Sequence, residues 1–238
     1  ASEGLLAESA LIAHGRGEAY DYLIGERTMD CAAAAVEHAA AAMLCADSAV
    51  ISVNGNTVAL AGRELIRIAA IIGCPIEVNI YYRTDARMSA LLSRLHSDKE
   101  AVLGSKPPLG WSGNWVQAVS SVRILGEEPD GKIPGLEGPR ANCCTVGILS
   151  ADVVFVPLED GDRCEALVAM GKCVIVVDLN PLSRTAKTAT ITIVDELMRM
   201  VPKLESALVD SKYEHLGDWD NLSRLDEAIN EILLGVGR

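Results

Sequence analysis

The sequence has few aromatic residues: one Phe, five Tyr and three Trp among 238. A binding surface built of stacked rings is therefore not expected. The core has to be filled by Ala, Val, Ile and Leu, a composition that suits helices packed closely on a buried β-branched sheet. Positive charge is also scarce, with 21 Lys and Arg against 33 Asp and Glu, a net charge of −12 and a pI near 4.8. That balance argues against a nucleic-acid or anionic-membrane partner and leaves any anionic ligand to local arginines and backbone amides. No window reaches the roughly 18 uninterrupted apolar residues of a membrane span, and Ala1-Ser2-Glu3-Gly4 does not begin a signal peptide. A soluble, cytoplasmic protein is expected. The seven cysteines are odd in number and include no CxxC pair, so reduced thiols are expected in place of a disulfide framework or a zinc site. The adjacent Cys143 and Cys144 have Arg140 as their one basic neighbour and read as structural. GxxxxGK[ST], a complete GxGxxG, HExxH and GxSxG are all missing.

What is present is an alternation of strand and helix signals. Residues 28–47, TMDCAAAAVEHAAAAMLCAD, predict an alanine-rich helix capped by Thr28 or Asp30. AVISVNG at 49–55 predicts a buried strand ending in a polar loop, GRELIRIAAIIG a helix stopped at Gly73, and PIEVNIYY at 75–82 a second strand. A helix capped by Thr84 or Asp85 follows, with Leu91, Leu92 and Leu95 on one face. From 105 to about 147 the pattern weakens into a long excursion rich in proline and glycine, with VRIL at 122–125 as a strand inside it. Strands then return at 151–158, 172–180 and 190–195, separated by a helix from Gly161 and a polar SRTAKTA segment. Helices at about 195–210 and 222–235 close the sequence. The last of these sets Leu222, Leu225, Ile229 and Ile232 or Leu233 on one stripe, read as packing on the parent domain. The expectation is a single α/β domain over 1–238: a three-layer Rossmann-like fold with a mostly parallel sheet.

Polar clusters fall at predicted strand ends or helix starts: HGRGEAYDYL (14–23), SVNGNT (52–57), NIYYRT (79–84), PLEDGDR (157–163) and DLNPLSRT (178–185). In an open parallel sheet that edge binds ligands, because strand ends and helix N-termini converge there. Arg16, Arg83, Arg163 and Arg184 each bring a guanidinium able to grip phosphate or carboxylate. Glu159, Asp160, Asp162 and Asp178 add carboxylates suited to Mg²⁺ on a triphosphate. His14 beside Gly15 can face phosphate or solvent, and His38, His96 and His215 are given no role. Taken singly, each arginine is better explained by a surface ion pair than by a ligand contact, and PLEDGDR by a capped turn.

LIAHGRGEAYDYLIGE, VISVNGNTVAL, EVNIYYRT, ADVVFVPLEDGDRCEAL and VIVVDLNPLSRTA…ITIVD, in that order over most of 11–202, resemble the archaeal phosphopantothenate synthetases, or 4-phosphopantoate–β-alanine ligases. The resemblance implies a homodimeric enzyme joining 4-phosphopantoate to β-alanine with ATP and Mg²⁺. The products would be 4′-phosphopantothenate, AMP and diphosphate, formed through an acyl adenylate on the route to coenzyme A. It carries ATP contacts onto Arg16, Asp178, Leu179, Asn180, Arg184, Thr185, Asp195 and Glu196. Arg16, Arg184 and Arg163 are the cations expected to act on the reacting groups. Beside the resemblance, Asn54, Asn56, Arg83 and Arg163 are assigned to 4-phosphopantoate, and Asp160 or Asp162 to the metal. The sequence departs from the family pattern in three ways. An N-terminal helical segment usual in the family is not seen, residues 104–121 look like an insertion, and Cys164 and Glu196 stand where relatives tend to have Thr and Asn. Two other classes remain as alternatives on the same fold: a nicotinamide-dependent oxidoreductase, and a non-catalytic nucleotide sensor whose insertion meets a partner.

Overall fold

The computed structural model describes residues 2–7, 9–210 and 217–236; His215 lies outside them. Six parallel strands form one sheet: β1 (Ala49–Val53), β2 (Ile76–Val78), β3 (Ile124–Leu125), and, after a small antiparallel pair β4 (Gly131–Lys132) and β5 (Asn142–Cys143), β6 (Val153–Pro157), β7 (Cys173–Val177) and β8 (Ile191–Ile193). The order is β3-β2-β1-β6-β7-β8, the doubly wound arrangement whose strand order reverses between β1 and β6. Register pairs Ile51 with Ile76 on one side and with Phe155 on the other, so the first residues of these strands lie at one edge and their polar successors at the other.

Period-2 alternation gives the sheet two apolar faces. Ile51, Val53, Phe155, Ile175 and Val177 point to the larger core, beneath helices α2 (Asp30–Leu44), α3 (Gly55–Ile72), α4 (Asp85–Leu103) and α8 (Leu197–Val209). Val50, Val154, Val156, Val174 and Val176 point to the other face, beneath α6 (Gly161–Ala169). Alanines let α2 approach closely: Ala35, Ala39 and Ala40 are buried. The cap expected there from Thr28 or Asp30 is not made. Met29 is the N-cap, Asp30 enters the first turn, and the Thr28 hydroxyl donates to Asp195 instead. Thr84 caps α4 as expected, accepting from the Arg87 amide.

Three sequence expectations change. The strands are shorter than their apolar runs: β2 stops at Val78, and Asn79 to Thr84 form a loop. SRTAKTA forms a short helix, α7 (Arg184–Thr188). HGRGEAYDYL lies inside a helix, α1 (Ala10–Leu23), at neither a strand end nor a helix start, so Arg16 sits in mid-helix. None of α1 is buried, and it neighbours α9 (Asn221–Val236). On α9 the expected stripe is half covered, with Leu225 buried while Leu222 and Leu233 are exposed.

The excursion divides into two parts. Residues 104–121 hold helix α5 (Trp115–Ser121), which packs on α3 and α4 through buried Trp115 and Val119. Because α5 leads into the start of β3, it lies at the sheet edge opposite the strand C-termini. Residues 126–150 cross the second face of β1 and β2, where a π-helical turn at Thr145–Leu149 replaces the usual helix.

Candidate functional site

The polar clusters after β1, β2, β6 and β7 meet at the C-terminal edge, around the switch point between β1 and β6. Asn54 caps α3, accepting from the Thr57 amide at 3.1 Å, and donates Nδ2 to the Leu158 carbonyl at 2.8 Å. The Thr57 hydroxyl donates to Pro157 O. These bonds tie the two halves of the crevice together. Leu158 turns the β6 loop with φ of +61°, a left-handed conformation rare for a branched side chain. That turn sends Glu159 inward and leaves Asp160 at the mouth.

Beneath the crevice lies a buried ionic network. Arg163 is fully buried, donating Nη2 to Ser52 Oγ at 2.8 Å and Nη1 to Glu159, whose side chain is also fully buried. Its Nε has no partner among the described residues. Burial lowers the Arg163 pKa, opposed by Glu159. Arg140, delivered by the excursion, donates to Glu159 at 2.7 Å and to Asp160, and its Nε approaches Asn79 Oδ1 at 3.4 Å. Asn79 in turn donates to the Arg140 and Asn142 carbonyls, fixing the excursion over β2. Glu77 lies deeper on β2 and accepts from the Cys144 and Ile148 amides at 2.8 Å. Burial raises its pKa despite those bonds and Arg163. Cys143 and Cys144 are buried beside it, and burial pushes the Cys143 thiol up to about 11.

Two further arginines stand on the β2 side. Arg83 donates to the Gly126 and Glu127 carbonyls, and Arg87 to the Leu5 and Tyr82 carbonyls. Neither has a carboxylate partner among the described residues, and burial lowers the Arg87 pKa. On the β7 side, Asp178 accepts from the Asn180 amide and the Ser183 hydroxyl, and burial raises its pKa. Arg184 lies against Gly161 at the start of α6, in a space that a Cβ on residue 161 would fill, and pairs with Asp162 and Glu165. The Thr185 hydroxyl donates to the Glu159 carbonyl. Gly17 of α1 packs on Leu179, and the neighbouring Arg16 is exposed and without a partner among the described residues.

The structure therefore gathers Asn54, Arg83, Asp160, Asp162, Arg184, Leu179 and Asn180 along one edge, with Asn56 in the first turn of α3. It holds three other predicted residues in internal roles. Arg163 is covered. Asp195 is fully buried and accepts from Thr28, Arg199 and the Glu196 amide. Glu196 caps α8 through the Arg199 amide. Asp160 caps α6 and Asp162 faces Arg184. No group of three or more His, Cys, Asp or Glu able to hold a metal exists among the described residues. Arg87 and Arg140 were not singled out from the sequence. Arg87 follows a helix cap, and Arg140 lies in a stretch without periodicity. Two surface grooves of about 260 and 300 Å³ lie elsewhere, between α2 and α8 and at the opposite sheet edge.

Strand order and the arginines at the switch point define a doubly wound, Rossmann-type α/β protein with a polar edge at the strand C-termini. The model of the phosphopantothenate/pantothenate synthetase family matches residues 31–110 and 113–234, and the chain belongs to that family. Curated relatives named 4-phosphopantoate–β-alanine ligase are 42% identical in Thermococcus onnurineus, 44% in Thermococcus kodakarensis and 43% in Methanosarcina mazei. The alignments cover 98%, 97% and 96% of this chain and 83%, 83% and 85% of those proteins. The family match is interrupted at residues 111 and 112, inside the stretch 104–121 that looks like an insertion in the sequence, and that stretch supplies core contacts through Trp115 and Val119.

Proposed function

We propose that the chain is a ligase that joins 4-phosphopantoate to β-alanine at the expense of ATP, releasing AMP and diphosphate. The observation that carries this reading is identity above 40%, over nearly the whole chain, to relatives of that name. The distribution of charge at the strand ends supports it. A carboxylate is a poor acylating agent, so the acid first attacks the α-phosphorus of ATP and the amine then displaces AMP. Both steps need neutralised charge at fixed positions more than a nucleophilic side chain. In this reading Arg16, residues 178–180, Arg184 and Thr185 take ATP at the end of β7. Arg83, with Asn54 and Asn56, takes the phosphorylated acid at the ends of β1 and β2. Arg163 acts from below, by holding the β6 loop. Asp195 and Glu196 shape the floor of the nucleotide site through α8.

The carboxylates fit a Mg²⁺ ion that arrives on the triphosphate and takes one ligand from the protein. Asp162, exposed beside Arg184, fits that role better than Asp160, which caps α6 and pairs with Arg140. Bound there, the ion would neutralise phosphate charge. We also assign a homodimer, for which the exposed Leu11, Ile12 and Leu23 of α1 and Leu233 of α9 offer an apolar face. Sedimentation velocity tests it, and a monomer at micromolar concentration would count against it.

The direct test of the ligase reading is incubation with ATP, Mg²⁺, 4-phosphopantoate and β-alanine. AMP and diphosphate should appear in equal amounts and only with all substrates present or, for slow leakage of the adenylate, without β-alanine. A folded protein releasing neither product would refute it.

A further inference from the structure

Charge accounting separates the crevice into two unlike halves. On the β2 side, Arg83 and Arg87 are held by carbonyl oxygens and, for Arg83, by the Met88 sulfur at 3.4 Å, leaving two positive charges that no carboxylate among the described residues balances. Such a place suits a dianionic phosphate. At the β6 loop the sum is different. Arg140 and Arg163 carry two positive charges, Glu159 and Asp160 two negative, all in direct contact. A dianion placed there would meet a neutral cluster that includes two carboxylates. A zwitterion would meet a guanidinium and a carboxylate side by side.

Glu159 and Arg163 are both fully covered and pair with each other, so neither can turn outward without breaking a buried pair. Arg140 and Asp160 differ from them. The Asp160 side chain is 49% exposed and Arg140 reaches the surface beside it, at 11%. One Asp160 oxygen caps α6 through the Arg163 amide at 3.0 Å, and the other meets Arg140. Asp160 sits on the β6 loop, between the ends of β1 and β7, and Arg140 reaches it from the excursion, where the acid and the nucleotide must meet.

We infer that Arg140 and Asp160 form the subsite for the amino-acid substrate, Arg140 taking its carboxylate and Asp160 its ammonium group. This rests on the ligase reading above. The Arg140–Asp160 contact is exchanged on binding for two contacts of the same charge type with the zwitterion, while Glu159 and Arg163 keep Arg140 in place. Asp160 serves here as an amine ligand, so the metal falls to Asp162.

The test is steady-state kinetics of the whole enzyme with Asp160→Asn and Arg140→Gln, varying β-alanine at saturating ATP and 4-phosphopantoate. Asparagine keeps the helix cap and removes the charge. Loss of one charge-assisted contact should raise the KM for β-alanine roughly ten- to a hundredfold in each variant. ATP–diphosphate exchange driven by 4-phosphopantoate should stay within about threefold of wild type. A second readout uses 1-aminopropane, a nucleophile without a carboxylate. Arg140→Gln should erase most of the wild-type preference for β-alanine over 1-aminopropane, whereas a variant that merely disturbs the loop would slow both amines alike. An unchanged KM for β-alanine in both variants, or an unchanged amine preference in Arg140→Gln, would overturn the subsite while leaving the ligase reading intact. A wild-type enzyme without turnover would overturn both.

Discussion

Replacing Arg163 by methionine separates a residue that touches substrate from one that holds the site together. The side chain is fully buried, donates to Ser52 Oγ at 2.8 Å and pairs with Glu159, itself fully buried and shared with Arg140 at 2.7 Å. Removing one partner of a buried ion pair costs about 3–5 kcal/mol, because the remaining charge stays desolvated. Arg140 still faces Glu159, which places the expected loss near the lower end, about 3 kcal/mol. Against a whole-domain stability of about 5–15 kcal/mol this is a large fraction. With a urea slope of about 1–3 kcal/mol/M, the unfolding midpoint should fall by about 1–3 M. The Arg163→Met, Glu159→Gln double variant removes both buried charges and should recover more than half of the loss. The assay is urea unfolding followed by circular dichroism on wild type, both variants and the exposed-site control Arg184→Ala, which should stay within about 0.5 kcal/mol of wild type. A wild-type midpoint for Arg163→Met, together with a raised KM for 4-phosphopantoate, would refute the reasoning and show that Arg163 turns into the crevice.

Three further outcomes are expected. Arg184→Ala and Arg16→Ala should each raise the KM for ATP at least tenfold with little change in thermal midpoint, since both side chains are exposed; unchanged kinetics in both would remove them from the nucleotide site. Burial lifts the folded-state pKa of Glu77 above its ordinary 4.5, so above that pH the unfolded chain binds fewer protons and Glu77 subtracts stability as pH rises toward its folded value. Relative to Glu77→Gln, wild type should therefore lose stability from pH 4.5 upward, and a difference independent of pH between 4 and 8 would contradict this. Of the seven thiols, Cys45 is exposed, while burial pushes Cys74 and Cys164 up to about 12 and Cys31 and Cys173 to about 11. Native protein at pH 8 should therefore show one fast-reacting thiol with a disulfide reagent, with the rest appearing on denaturation.

The strand-and-helix alternation was legible because each strand of the six-stranded sheet carries β-branched residues and the main helices their propensity. Val153 to Val156, Val174 to Val177 and the alanines of α2 declare themselves locally. The β1, β2, β6 and β7 loops were legible for the same reason, since polar residues that follow a buried strand must lie at its end. Arg16 was misplaced because HGRGEAYDYL carries two glycines and mixed polarity, which mask a helix lying exposed on the surface.

What only the tertiary structure decided is which arginine faces the crevice. Arg163 follows Asp160 by three residues, and its sequence neighbours resemble those of any capped helix. It is turned inward by the left-handed Leu158 and by Ser52, 111 residues away. Arg140 comes from a stretch without periodicity and reaches the site because Asn79, 61 residues earlier in the chain, binds the carbonyls of Arg140 and Asn142. Local sequence fixes propensity and pattern. Charge burial depends on what crosses the far face of the sheet, and that is decided by long-range hydrogen bonds and ion pairs that no local window contains.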